Sequence, residues 1–220
     1  MRSSILHFAL QETNLLLISM FTYTNIDPRK KAFVFELDNV LYPEKDYLLQ
    51  VYYLFASFLE YKELLDAKVL TRLMTDTFEQ EGAGAVFNTL QQRFNISEEY
   101  RYNFDLLHIT ARLPLKLLLY KEMLALLQEI VIDRKQIFIL TNGEPEQQLN
   151  KIKQVEWHGL EQYLTCYFAD EIKPKPEPDA VHYILKHHNL ERRDIVMIGN
   201  TEADEFCAGA AGVDFLTFYP

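Results

Sequence analysis

Residues 31–43 read Lys-Ala-Phe-Val-Phe-Glu-Leu-Asp-Asn-Val-Leu-Tyr-Pro, and the fold turns on them. Ala32 to Phe35 is a short unbroken apolar run behind the basic stretch Arg29 to Lys31. A run of this kind, apolar on both faces, suits a strand buried inside a parallel sheet. It stops abruptly at two alternating acids, Glu36 and Asp38. Three further runs share that design. Gln136 to Leu140 is followed by Thr141, Asn142 and Gly143, and the weaker Cys166 to Ala169 leads into Asp170 to Pro176. Asp194 to Gly199 is followed by Asn200, Thr201 and Asp204. Val213 to Phe218 supplies a fifth strand.

Helical patterns fill the intervals. Leu117 to Ile130 is apolar at helical spacing. Pro145 to Val155 begins with a proline, which the first turn tolerates well. Pro178 to His188 and Glu202 to Ala211 follow, and Gly212 suits the position just past a helix end. Strand–helix alternation predicts an α/β fold: a Rossmann-like parallel sheet with helices on both faces. Between the first two strands the rhythm breaks. Tyr47 to Leu64, Ala67 to Gln80, Ala85 to Phe94 and Glu98 to Thr110 all read as helix, with breaks at 81–84 and 95–97 and Ser97 as a cap. The expected organisation is an N-terminal extension over 1–30, an α/β core from 31–43 and 114–220, and a small all-helical cap over 44–113. An insertion after the first strand leaves from the strand ends where open α/β sheets bind ligands, so it is placed to act as a lid.

Composition narrows the partners. The 220 residues carry a formal charge of −10, which argues against a nucleic-acid partner; 49% are hydrophobic and 25% charged, as in ordinary globular chains. Apolar stretches near the N-terminus are split by Gln11 to Asn14, so no membrane partner and no signal peptide is expected. Residues 1–30 read as an extra helix, a loose extension, or an upstream start with Met20 first. Cys166 and Cys207 have no metal-binding spacing and read as buried free thiols, which fits a cytoplasmic protein. Oligomeric state is left open.

The polar sets at the strand ends are chemically complementary. Glu36, a neighbouring backbone carbonyl at Asp38, Asn200 and Asp204 offer oxygens to a hard cation. Thr141 and the amides at a helix start, with Asn142, form a phosphate cradle, and Lys175 or Lys173 adds a positive charge. Each signal alone is weak, since acidic pairs, Thr-Asn-Gly and Lys-Pro are all common in turns. Their joint order at successive strand ends is what carries weight.

At these residues the chain resembles the haloacid dehalogenase superfamily, mostly phosphatases with a parallel Rossmann-like core. The matching segments are 33–43, Ile139 to Gly143, Lys175 to Pro178, and Met197 to Asp204, with Ala208 to Gly212 behind them. The insert resembles a C1-type cap. The resemblance implies that the residue at position 36 attacks phosphorus and that Asp38 serves as acid and base. Thr141 and Lys175 would hold phosphoryl oxygens. Magnesium would lie between Glu36, the Asp38 carbonyl and position 200. Two positions depart from the family pattern: Glu36 replaces an aspartate, and Asn200 replaces an acid. The expectation is a hydrolase of small phosphate monoesters with a weakened Mg²⁺ site and attenuated turnover. The alternative is a silent relative that binds a phosphorylated ligand or partner. A response-regulator receiver is excluded by the helical insert. Tyr42 is a substrate-contact candidate facing the site entrance. Tyr47, Tyr52, Tyr53, Tyr61 and Trp157 read as core, His182, His187 and His188 as solvated helix positions, and Arg93, Arg101 and Arg112 as surface salt-bridge formers.

Overall fold

A computed structural model describes residues 22–219. The expectations for residues 1–21, Met20 among them, lie outside the described residues. Five strands form one all-parallel sheet: β1 (Ala32–Phe35), β2 (Gln136–Thr141), β3 (Leu164–Phe168), β4 (Ile195–Gly199) and β5 (Asp214–Thr217). Their spatial order is β3-β2-β1-β4-β5. β1 therefore lies at the centre, with Phe35 in register with Ile139 of β2 and Ile198 of β4. All four β1 residues are buried, as an apolar run without alternation requires. The order reverses direction at β1, which opens the crevice where such sheets take their ligands.

The chain divides into two compact units. The first holds the sheet with α5 (Lys121–Ile132), α7 (Asp179–His187) and α8 (Glu202–Ala211). On one face Ala32, Val34, Phe138, Leu140 and Met197 pack against Val181, Ile184, Cys207 and Ala211 of α7 and α8. α5 packs against β2, burying Met123, Leu126, Leu127 and Ile130. Both cysteines are free; Cys207 is buried and Cys166 partly so, and burial pushes each thiol pKa up to about 11. Residues 22–30 are not a loose tail. A single turn over Tyr23–Asn25 sets the Tyr23 ring 6.1 Å from Phe33 and its hydroxyl 2.5 Å from Asp133.

The second unit is helical: α1 (Glu44–Glu63), α2 (Ala67–Glu81), α3 (Val86–Phe94) and α4 (Arg101–Thr110), joined by α6 (Pro145–Gln154). Asp66 caps α2 by accepting from the Lys68 and Val69 amides, and Ser97 accepts from Glu99 N. The core is aromatic: Phe55 and Phe104 rings lie 5.0 Å apart, Phe87 and Phe104 5.4 Å. α6 differs from the expectation that placed it with the sheet. Gln154 and Asn150 donate to the Ala111 carbonyl, and Leu113 N donates to Gln154. Lys151 of α6 is buried beside Glu44 and over the Tyr47 ring. These polar and cationic contacts face the insert, so the helix belongs with it. Tyr47, Tyr52 and Trp157 are buried as expected, whereas Tyr53 and Tyr61 are exposed. Among the described residues no helix is long and apolar enough to cross a membrane.

Candidate active site

The centre of the site is the Lys175 ammonium. It lies on the loop after β3, and its side chain is 3% exposed. Asp204 Oδ1 sits 2.5 Å away, the Leu140 carbonyl accepts at 3.3 Å, and Glu36 Oε2 is in direct contact. The Asp204 and Leu140 contacts are hydrogen bonds, whereas the contact with Glu36 Oε2 is ionic, with no hydrogen bond to that oxygen. The other Glu36 oxygen accepts from the Thr141 hydroxyl at 2.7 Å. The ends of β1 and β2, the loop after β3 and the start of α8 thus meet at one point. Burial pushes the Lys175 pKa down, against the pull of Asp204. Burial pushes the Asp204 carboxyl up, but the Lys175 charge and the hydrogen bonds from Lys175 and Thr201 outweigh it and leave it below the usual carboxylate range.

Asn142 fixes the lysine loop through a reciprocal pair. Its amide donates to the Lys175 carbonyl at 2.9 Å, and its carbonyl accepts from Lys175 N at 2.9 Å. The Lys175–Pro176 bond is cis. Lys173, the other cation considered, is exposed and faces Asp179 at 3.5 Å, away from this cluster. Gly143 N donates to Asp170 at 2.6 Å.

Asp38 lies two residues beyond Glu36, half-buried. Its Oδ1 accepts from the Tyr42 hydroxyl at 2.6 Å. The loop between them is tight: Asn39 adopts φ 59°, and its N–H donates to the Tyr42 carbonyl. Tyr42 is fully buried. It does not face an entrance; it orients the acid four residues before it.

Asp204 is the residue whose role differs most from the sequence reading. Its Oδ2 accepts from Asn200 N, Thr201 N and the Thr201 hydroxyl, while Oδ1 faces Lys175. Thr201 Oγ1 in turn accepts from Asp204 N, which closes a capping box at the start of α8. Both carboxylate oxygens are thereby committed to protein partners. The signal was present in Thr201-Glu-Ala-Asp204, a threonine with an acid three residues on. Gly199 makes this approach possible: a Cβ there would stand 2.4 Å from Asp204 Cβ.

Asn200 donates weakly to the Asn39 carbonyl at 3.4 Å, and its Oδ1 is buried with no hydrogen-bond partner. An orphaned buried carbonyl oxygen is costly unless a donor or cation completes it. It is the observation that fits a hard cation here, with Glu36 and the Asp38 main chain as neighbouring oxygens in sequence and at the strand ends. No cluster of three or more His, Cys, Asp or Glu side chains forms among the described residues, so such a site would draw on mixed oxygen donors.

The remaining candidates fall elsewhere. His188 is not a solvated position. It follows α7, lies against the Phe138 ring at 4.4 Å and bonds the Tyr167 hydroxyl at 2.7 Å. Arg101 pairs with Glu98 and covers Phe87, while Arg93 and Arg112 are exposed.

Sequence comparison decides the lineage, because the model of the haloacid dehalogenase-like hydrolase family matches residues 33–218. The chain belongs to that family. Solved structures of family members share its fold. A family hydrolase from Deinococcus radiodurans, with phosphate and sodium bound, is 17% identical with a TM-score of 0.55, covering 87% of this chain and 81% of that one. A candidate β-phosphoglucomutase from Thermotoga maritima is 18% identical with a TM-score of 0.58, covering 83% and 82%. A candidate hydrolase of the family from Bacillus subtilis, bound to magnesium, is 15% identical with a TM-score of 0.53, covering 85% and 86%. No curated protein matches the chain in sequence.

Proposed function

We propose that this chain is a phosphohydrolase of low turnover that acts on a small phosphate monoester with Mg²⁺. The observation that carries the reading is the convergence of the Thr141 hydroxyl and the Lys175 ammonium on the carboxylate that follows β1. Phosphoryl transfer is mainly a matter of positioning and charge stabilisation, and these groups are of the right kind for both. Thr141 and Lys175 would hold phosphoryl oxygens. Asn142 keeps the lysine loop in place. Glu36 would face phosphorus, and Asp38, steadied by Tyr42, would protonate the leaving oxygen and then take a proton from water. Asp204 acts on Lys175 and on the start of α8.

Magnesium would be held by Glu36, the Asp38 carbonyl and Asn200 Oδ1, and would supply positive charge to the phosphoryl oxygens. Family structures with phosphate bound and with magnesium bound support a chemistry of phosphate and magnesium for this chain. Low turnover follows from two side chains. Glu36 carries one methylene more than aspartate, a displacement of roughly 1 Å, and an error of that size costs on the order of a hundredfold in rate. Asn200 offers an oxygen without the charge that strengthens cation binding.

The second reading is a silent relative that binds a phosphorylated ligand, and the engagement of both Glu36 oxygens favours it. The two readings separate in an assay of an aryl phosphate with Mg²⁺, using wild type, Glu36→Asp, Asn200→Asp and the double variant. The double variant should gain on the order of a hundredfold in kcat/KM. Wild-type turnover that falls on Glu36→Asp would instead make Glu36 an effective nucleophile and end the argument for low turnover.

A further inference from the structure

We propose that Glu36 is the resident anion of the Thr141/Lys175 seat: its own carboxylate takes the donors that an external oxyanion would use. The inference rests on the reading that these two side chains form an oxyanion seat. It adds that in wild-type protein the seat is already filled.

The donor inventory makes the case. Thr141 has one hydroxyl proton, and it goes to Glu36 Oε1 at 2.7 Å. Lys175 donates to Asp204 Oδ1 and the Leu140 carbonyl and makes an ionic contact with Glu36 Oε2, the acceptor nearest its remaining charge. Two of those acceptors are fixed. Leu140 is in β2, and Asp204 is tied down by the Asn200 and Thr201 amides and the Thr201 hydroxyl. Only the Glu36 partner sits on a flexible side chain that can rotate away. A phosphate dianion can reach both donors only by displacing it. The nearby amide of Gly143 offers no alternative, since it donates to Asp170.

Charge points the same way. One ammonium faces two carboxylates, so the group is net negative before any ligand arrives. An incoming dianion meets repulsion that only departure of Glu36 or arrival of a cation relieves. A carboxylate one methylene shorter would end farther from Thr141 and Lys175. The length of Glu36 is therefore what lets one residue span both donors. A seat that is open about 1% of the time binds its ligand about a hundredfold more weakly than the open form does.

The test is calorimetric titration of the full chain with inorganic phosphate, and separately with acetate, in metal-free buffer. Wild type is compared with Glu36→Ala and Glu36→Ala/Thr141→Val. Glu36→Ala should bind phosphate at least tenfold more tightly than wild type, and acetate should refill the vacated space in that variant alone. Adding Thr141→Val should remove most of the gain. Should Glu36→Ala fail to fold, Glu36→Gln serves, because it keeps the shape and removes the charge; it too should gain. Equal phosphate affinity in wild type and the Glu36 variants overturns the plug while leaving the seat intact. No binding by any variant overturns the seat itself, and with it both this inference and the reading it rests on.

Discussion

Removing the Lys175 charge should cost the first unit more than removing either of its anions. The Lys175 and Asp204 side chains are 3% and 1% exposed, and their charged atoms lie 2.5 Å apart. Glu36 shares the same ammonium. Lys175→Met leaves two buried carboxylates facing each other with no cation, which calls for the upper end of the cost of breaking a buried pair, about 5 kcal/mol. Asp204→Asn is milder. Its amide oxygen can still accept from the Asn200 and Thr201 amides, and Lys175 keeps Glu36, so about 3 kcal/mol is expected. For a chain of this size, about 2–4 °C per kcal/mol puts the two shifts near 10–20 °C and 6–12 °C. Trp157 is the single tryptophan, belongs to the first unit and is buried, so its fluorescence in a urea titration reports this unit. Acid should narrow the gap, since one of the stranded carboxylates can take a proton. Losses below about 1 kcal/mol in both variants, the value of an exposed pair, would refute a desolvated ion centre. So would Asp204→Asn proving the more damaging of the two.

Other outcomes follow from single contacts. Gly199→Ala would drive a methyl against Asp204 Cβ at 2.4 Å and should destabilise by about 1–3 kcal/mol in the same titration; an unchanged midpoint would mean that the start of α8 shifts freely. His108 in α4 has a pKa lowered by burial, and its Nδ1 bonds the Phe104 carbonyl at 2.9 Å. Below about pH 6.5 the unfolded chain takes up a proton that the folded unit resists, so stability is lost as pH falls. Melting followed by circular dichroism at pH 7.5 and 5.5 should show a smaller acid loss for His108→Gln than for wild type, and identical slopes would remove His108 from the account.

Much of the sheet was legible because its strands are continuous apolar runs ended by turn signals. Ala32–Phe35 has the expected bounds, and β2 and β4 fall within a residue of expectation. β3 begins at Leu164, two residues early, because this edge strand is only partly buried and its pattern is blurred. The seven candidate residues could be named because they gather at strand ends or in the segments just after them: Thr141 closes β2, Lys175 lies on the loop after β3, and Asp204 lies in the first turn of α8. What was hidden is where their side chains turn. Nothing in a linear order says that Asp204 Oδ1 would face Lys175, that Tyr42 would fold inward onto Asp38, or that His188 would lie on Phe138. α6 deceived for another reason. A helix that follows a strand normally packs on that sheet, but its inward residues include Gln148 and Lys151, whose polar groups need partners the apolar sheet cannot offer.

The membership of α6 has a practical consequence for anyone who would transplant the helical unit between relatives. It is encoded in two separate stretches, 44–117 and 144–156, so the polypeptide passes between the units four times. A chimaera that exchanges only the longer stretch would leave Lys151 facing foreign residues in place of Glu44 and Tyr47, and Gln154 facing a foreign main chain in place of Ala111 and Leu113. Recombination that preserves function in this lineage has to move both pieces together, and natural hybrids should carry breakpoints that respect the pair.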